Sequence, residues 1–228
     1  MRKGDLVRCK SDNVIGIIVD WLDPMYPRMV TVLIGSITRE YFENDLYNRN
    51  IIPFLADYSQ DSKKVPDQFF FEKKYIKSFN STDSLNINDW INSKNQDIKS
   101  ENLIFQIDVE GYEYEIINSI EEKKLDQIKI LIIEFHDLEY SGNRIIYQMI
   151  DSVMKKILKK FDVAHIHPNN WKEPTLINGL KFPSNLEATF LNKNFVKSKG
   201  KINFLPHKLD VKNVLSNPDV KLDNYWYL

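Results

Sequence analysis

The chain is poor in the residues that usually advertise a chemistry. It has one cysteine, Cys9, among 228 residues; no internal disulfide can form, which points to a reducing compartment. Its seven glycines stand at 4, 16, 35, 111, 142, 179 and 200, and nowhere do they cluster into a glycine-rich loop able to cradle a cofactor. No apolar run approaches a membrane span, and the first five residues lack the apolar core of a signal peptide. The chain therefore reads as soluble and cytoplasmic, without a membrane partner. Charge is balanced, with 31 Lys and Arg against 32 Asp and Glu and a net charge of −1, so nothing general attracts nucleic acid. A hydrophobic content of 43% with 28% charged residues excludes global disorder. The length suits one good-sized domain, or a medium domain with a small one attached.

Two regions differ in pattern. Residues 1 to 50 hold short β-branched runs, at Gly4–Arg8, Val14–Val19 and Met29–Ile34, with Glu40–Phe42 following; Ser11-Asp12-Asn13, Pro24, Pro27 and Gly35-Ser36 interrupt them. Such spacing predicts consecutive hairpins. With Lys3-Gly4-Asp5-Leu6-Val7 and Gly16–Asp20, the segment resembles small SH3-like barrels, which serve as binding or docking modules; the other reading is a plain hairpin extension. From residue 51 strands and helices alternate, which predicts a parallel or mixed α/β sheet. Strands are expected at Ile51–Ala56, Gln68–Phe71, Leu103–Val109, Lys129–Phe135 and Phe161–His167. Thr82 is expected to cap a helix running to Trp90, a second helix covers Glu113–Ile120, and a three-four apolar repeat from Ile145 to Leu158 marks the clearest helix. Asn185–Leu191 alternates, as an antiparallel or edge strand does. Phe204–Leu228 has little periodicity and is expected to lie over the surface.

The most informative stretch is Leu103–Ile117. An apolar run stops at Asp108, turns through Glu110-Gly111 and becomes an amphipathic helix. That places carboxylates at the carboxyl end of a strand, where open α/β sheets keep their chemistry. Two further strands end in titratable groups, Glu134 with His136 and His165 with His167. Residues two apart on a strand share a face, so these groups can converge on one rim. Histidine can take a proton from a hydroxyl, and a carboxylate can orient that histidine or bind a hydroxyl. Alternatively, Asp108, His136 and one of His165 or His167 could ligate a divalent metal. A third reading makes Glu134 and His165 ordinary buried groups with satisfied partners. Asn169 and Asn170, in the turn after His167, offer amides to a polar substrate or simply form the turn. Asp57 ends a strand at a position suited to binding a ribose hydroxyl.

Several blocks, in order across residues 52 to 220, carry a family resemblance: Asp57–Gln60, Phe105–Glu115, Ile133–His136, His165–Asn170, Pro183–Thr189, and Leu205-Pro206 with Leu209-Asp210. With the Asp108-Val109-Glu110-Gly111-x-Glu113 core at their centre, they resemble the FkbM-type S-adenosylmethionine-dependent methyltransferases. The resemblance implies a class I (Rossmann-like) methyltransferase sheet, S-adenosylmethionine as donor, and O-methylation of a small-molecule, sugar-like acceptor. It implies His136 or His165 as base and Asp108 and Glu110 as positioning groups. Asp57 and Asp108 then hold the cofactor, and Glu134, His167, Asn169 and Asn170 contact the substrate, with no metal required. The pattern departs from the family upstream of Asp57, where the strand with a glycine-rich loop is not found. The expected fold is accordingly a truncated class I sheet over residues 51–228, preceded by an SH3-like unit at 1–50. A sheet lacking its first strand exposes an edge, which calls for the barrel, a protein partner or a homo-oligomer to cover it. Two rival functions follow: a catalytically degenerate core used for docking, and a metal-dependent hydrolase or transferase built on the Asp and His cluster.

Overall fold

Short β-branched runs become strands, and the longest three-four repeat becomes the longest helix. The computed structural model describes residues 6–8, 15–17, 30–35, 41–49, 51–95, 103–196, 205–207 and 210–226. In chain order the elements are β1 (Leu6–Arg8), β2 (Ile15–Ile17), β3 (Val30–Gly35), α1 (Tyr41–Asn48), β4 (Ile52–Ala56), β5 (Phe70–Glu72), β6 (Tyr75–Lys77), β7 (Ser84–Asn86) and α2 (Ile87–Asn95). Then follow β8 (Leu103–Asp108), α3 (Glu113–Ser119), α4 (Glu122–Leu125), β9 (Ile128–Phe135), α5 (Arg144–Lys160), β10 (Phe161–Pro168), β11 (Thr175–Ile177), β12 (Leu180–Phe182) and β13 (Leu186–Asn192).

Seven strands form the main sheet, in the order β10-β13-β9-β8-β3-β4-β5. Read from β5 to β9, the five parallel strands follow the doubly wound order 3-2-1-4-5. β13 runs antiparallel to both β9 and β10 and so sits inside the sheet rather than at its edge. Apolar side chains cover both faces. Leu103, Phe105 and Ile107 of β8 join one core with Trp90, Ile116, Ile117, Val153 and Ile157 of the helices. Ile104 lies in a second core with Phe42 and Leu46 of α1. Burying one such side chain contributes roughly 1.5–3 kcal/mol, so near-continuous apolar runs are what a doubly covered strand requires. At the start of α5, Asn143 Oδ1 accepts from the Ile145 and Ile146 amides at 2.9 and 3.4 Å, while Lys159 and Lys160 occupy its last turn. Both ends thus suit the helix dipole. No described helix is long and apolar enough to cross a membrane.

The N-terminal region differs from its expected form. No sheet among the described residues closes into an SH3-like barrel; β1 and β2 form only a two-stranded antiparallel ribbon. The run expected as a barrel strand, Val30–Ile34, lies at the centre of the main sheet between β4 and β8. The sheet is therefore not truncated: its first strand comes from the segment assigned to a separate unit, and β8 has no open edge. A short apolar run reads alike in a barrel and in a covered parallel strand, and the missing glycine loop removed the cue that separates them. Of Glu40–Phe42, expected as strand, Tyr41 and Phe42 lie in α1 instead, and Glu40 is outside the described residues. Helix α2 starts at Ile87 rather than after Thr82, because Asn86 Oδ1 accepts the Asn88 amide at 2.8 Å. Residues 36–40, which follow β3, and 197–204 lie outside the described residues.

Candidate active site

Strand register brings residues far apart in sequence to one level of the sheet. Gly35 is paired with Asp108, Glu134 with Glu187, and Glu187 with His167. Ile34 pairs with Ala56, and Ile107 with Ile133; one residue further along, Asp57 therefore lies level with Gly35, and Glu134 with Asp108. Paired residues project to the same face. The result is a transverse row, Asp57, Gly35, Asp108, Glu134, Glu187 and His167, at the carboxyl ends of the parallel strands.

At its middle the backbone is bent sharply. Glu110 has φ +51°, Gly111 φ +98° and Asp137 φ +62°. Left-handed backbone at a non-glycine residue costs on the order of 1–3 kcal/mol and collects at functional sites. Gly111 needs its lack of Cβ for conformation rather than space, since an added Cβ would meet nothing closer than Asp137 Oδ2 at 3.6 Å. The turn is locked by Glu113, whose side chain is fully buried. Its Oε2 accepts the Gly111 amide at 2.9 Å and its Oε1 the His136 amide at 2.7 Å. Tyr114 Oη closes the same corner by donating to the His136 carbonyl at 2.6 Å.

His136 stands at the centre. Its Nδ1 is 3.5 Å from Glu113 Oε1, while its Nε2 lies 3.3 Å from Glu110 Oε2 and 3.9 Å from Asp108 Oδ1. Burial by itself lowers the imidazole pKa, but the adjacent Glu113 carboxylate, then the charges of Glu134 and Asp108, outweigh it and push it up to about 9. With no cation at this corner, the surrounding carboxylates thus favour the protonated ring. Glu134 is held by two amides, Asn169 Nδ2 at 3.0 Å and Asn185 Nδ2 at 3.2 Å, both on Oε1.

Two cavities open along this rim. One, of about 390 Å³, is lined by Asp57, Ser59, Lys74, Tyr75, Lys77, Asp108 and Glu110, among others. The other, of about 500 Å³, has Glu110, Glu134, His136, Asp137, Asn169 and Asn185 on its walls, with the half-exposed rings of Tyr140 and Trp171. Glu110 lines both, so the cavities meet at the end of β8. In the first, the Ser59 amide and Oγ hold Asp57 Oδ1 at 2.8 and 2.7 Å, whereas its buried Oδ2 has no hydrogen-bond partner among the described residues.

The expected site residues divide accordingly. Asp57, Asp108, Glu110, Glu134, His136 and Asn169 line these cavities. His165 lines neither: its Nε2 lies 2.9 Å from Asp210 Oδ1, and its ring packs beside His207 of the C-terminal segment. His167 also faces that segment, with Nδ1 3.8 Å from Glu187 Oε2 and Nε2 4.0 Å from Asp219 Oδ1. Burial lowers the His167 pKa, but the nearby Glu187 carboxylate, with those of Asp210 and Asp219, raises it overall. Burial, with the charge of Glu134, pushes the Glu187 carboxyl up to about 7 against the opposing pull of His167 and Asn213. Asn170 grips the tail rather than a cavity, its Nδ2 reaching the carbonyls of Val214, Asn217 and Pro218 and its Oδ1 accepting the Val214 amide. Sequence reading left Glu113 without a role although it closes the quoted Asp-Val-Glu-Gly-x-Glu core. Asn185 stood in the Pro183–Thr189 block without a role of its own, and nothing in the sequence marked Tyr140 or Trp171.

Residues 59–166, a little under half of the chain, match the model of the methyltransferase FkbM domain, which supports a methyltransferase-type function. Among solved structures, a chain of the fibrillarin/Nop5p complex is similar at 11% identity with a TM-score of 0.40, over 72% of each chain. No curated protein matches.

Proposed function

We propose that the chain transfers a methyl group from S-adenosylmethionine to a hydroxyl of a polar, sugar-like acceptor. The observation that carries this reading is the meeting of two cavities at Glu110, one with an acidic strand end and tyrosine walls, the other lined by carboxylates, amides and exposed aromatic rings. Members of the matched family usually use S-adenosylmethionine, and the residues present fit it. Asp57, with one oxygen locked by Ser59 and a buried one left over, suits a ribose hydroxyl at the end of the second parallel strand. Tyr75 and Tyr112 offer flat walls for a purine, with Lys77 Nζ 5.2 and 5.1 Å from their ring centres. When bound, S-adenosylmethionine supplies a methyl group on a sulfonium. The chain's own part is to hold an acceptor hydroxyl at the seam and receive its proton. Glu110 lines both cavities and is mostly exposed, so its carboxylate can accept that proton and return it to water. Carboxylates, amides and exposed aromatic rings in the larger cavity match hydroxyls and ring faces of a sugar-like molecule.

Calorimetric titration of S-adenosylmethionine into the full chain, beside Asp57→Asn, tests this. Micromolar binding, weakened about 10–100-fold by loss of one charged hydrogen bond, is expected, since asparagine keeps the oxygen that Ser59 needs. No binding at millimolar cofactor would overturn the reading and favour a core used for docking.

A further inference from the structure

Asp108, Glu134 and His136 come from two adjacent strand ends, yet one ligand atom of each lies within 4.8 Å of the others. We infer that these three side chains bind a divalent cation whose open coordination positions face the acceptor cavity. The inference rests on the methyltransferase reading only for what the cation would do, not for where it sits.

Three independent features support it. The set is mixed, with two carboxylates and one imidazole, as first-row divalent metals prefer. Each of two ligands is held from behind: Glu113, fully buried, sits at Nδ1 of His136 and leaves Nε2 facing Asp108 and Glu110, while Asn169 and Asn185 both bind one oxygen of Glu134. A buried carboxylate behind a ligating histidine is the usual outer shell of a metal site. Finally, among the described residues, carboxylates outnumber cationic side chains at this corner. Glu110, Glu134 and Asp137 share this corner, and among the described residues none forms an ion pair with lysine or arginine; Lys172, at the cavity wall, is engaged by Glu139 at 2.9 Å. The site differs from the expected one in its third ligand, which is Glu134 rather than His165 or His167. Glu134 and His136 also line the larger cavity, so a hydroxyl of the acceptor can complete the coordination sphere. A coordinated hydroxyl loses its proton more readily, and Glu110 stands beside it to take that proton.

The test uses Mn²⁺ as probe and the full-length protein, following loss of the free-ion electron paramagnetic resonance signal. Saturable binding of one Mn²⁺ per chain is expected. Glu134→Gln, which keeps an oxygen for the two asparagines, and Asp108→Asn should each weaken it about tenfold or more. Glu122→Gln, on the remote helix α4, should leave it unchanged. Absence of saturable binding, or equal binding in all four proteins, overturns the site; two ligand variants guard against one failing to fold. S-adenosylmethionine affinity measured separately in chelator reports on the methyltransferase reading alone. If the cofactor fails to bind while Mn²⁺ binding remains sensitive to both ligand variants, that reading falls and the cation site stands.

Discussion

Asn169 and Asn170 are neighbours of identical chemistry, and the structure gives them opposite duties. Asn170 is almost completely buried. Its Oδ1 accepts the Val214 amide at 2.8 Å, and its Nδ2 faces carbonyls of Val214, Asn217 and Pro218 at 2.9–3.3 Å. Two amide protons can serve two of those carbonyls at a time, so Asn170→Ala removes about three hydrogen bonds. At about 1 kcal/mol net each, reduced as the released tail regains water, the loss is roughly 2–3 kcal/mol. For a chain of this size that corresponds to a fall in Tm of roughly 5–10 °C. Asn169→Ala removes a bond to Glu134, which keeps Asn185, and one from the Trp171 amide at 3.1 Å, so about 1 kcal/mol is expected. The assay is thermal unfolding of both variants, with hydrogen exchange of residues 210–219. Asn170→Ala should speed exchange there and leave S-adenosylmethionine affinity intact; Asn169→Ala should spare the tail and weaken acceptor binding. An Asn170→Ala protein with unchanged Tm and exchange, but lost ligand binding, would refute the assignment.

Two other substitutions probe the strand-end turn. Gly111→Ala meets no steric block but must adopt φ +98°, and is expected to cost on the order of 1–3 kcal/mol, read by chemical denaturation. Glu113→Gln turns an amide nitrogen toward a backbone N–H, because both carboxylate oxygens now accept one. It should destabilise the fold by about 1–3 kcal/mol and weaken Mn²⁺ binding, and an unchanged protein by both measures would contradict the role given to Glu113.

Local pattern determined much of this protein. The strands expected after residue 51, helix α5, and the acidic strand ends at Asp57, Asp108 and Glu134 follow from periodicity and composition, which act over a few residues. Only the tertiary structure decided that Val30–Gly35 enters the middle of the sheet, because strand order is set by how crossover helices pack on two faces and not by any residue within the strand. Only it placed β13 inside the sheet, and so lined up Glu187 with Glu134 and His167. Only it divided Asn169 from Asn170 and His136 from His165, since the groups that claim Asn170 and His165 arrive from a tail some forty residues further along the chain. Which buried polar group faces a cavity and which is already satisfied depends on partners distant in sequence, and a one-dimensional reading has no access to them.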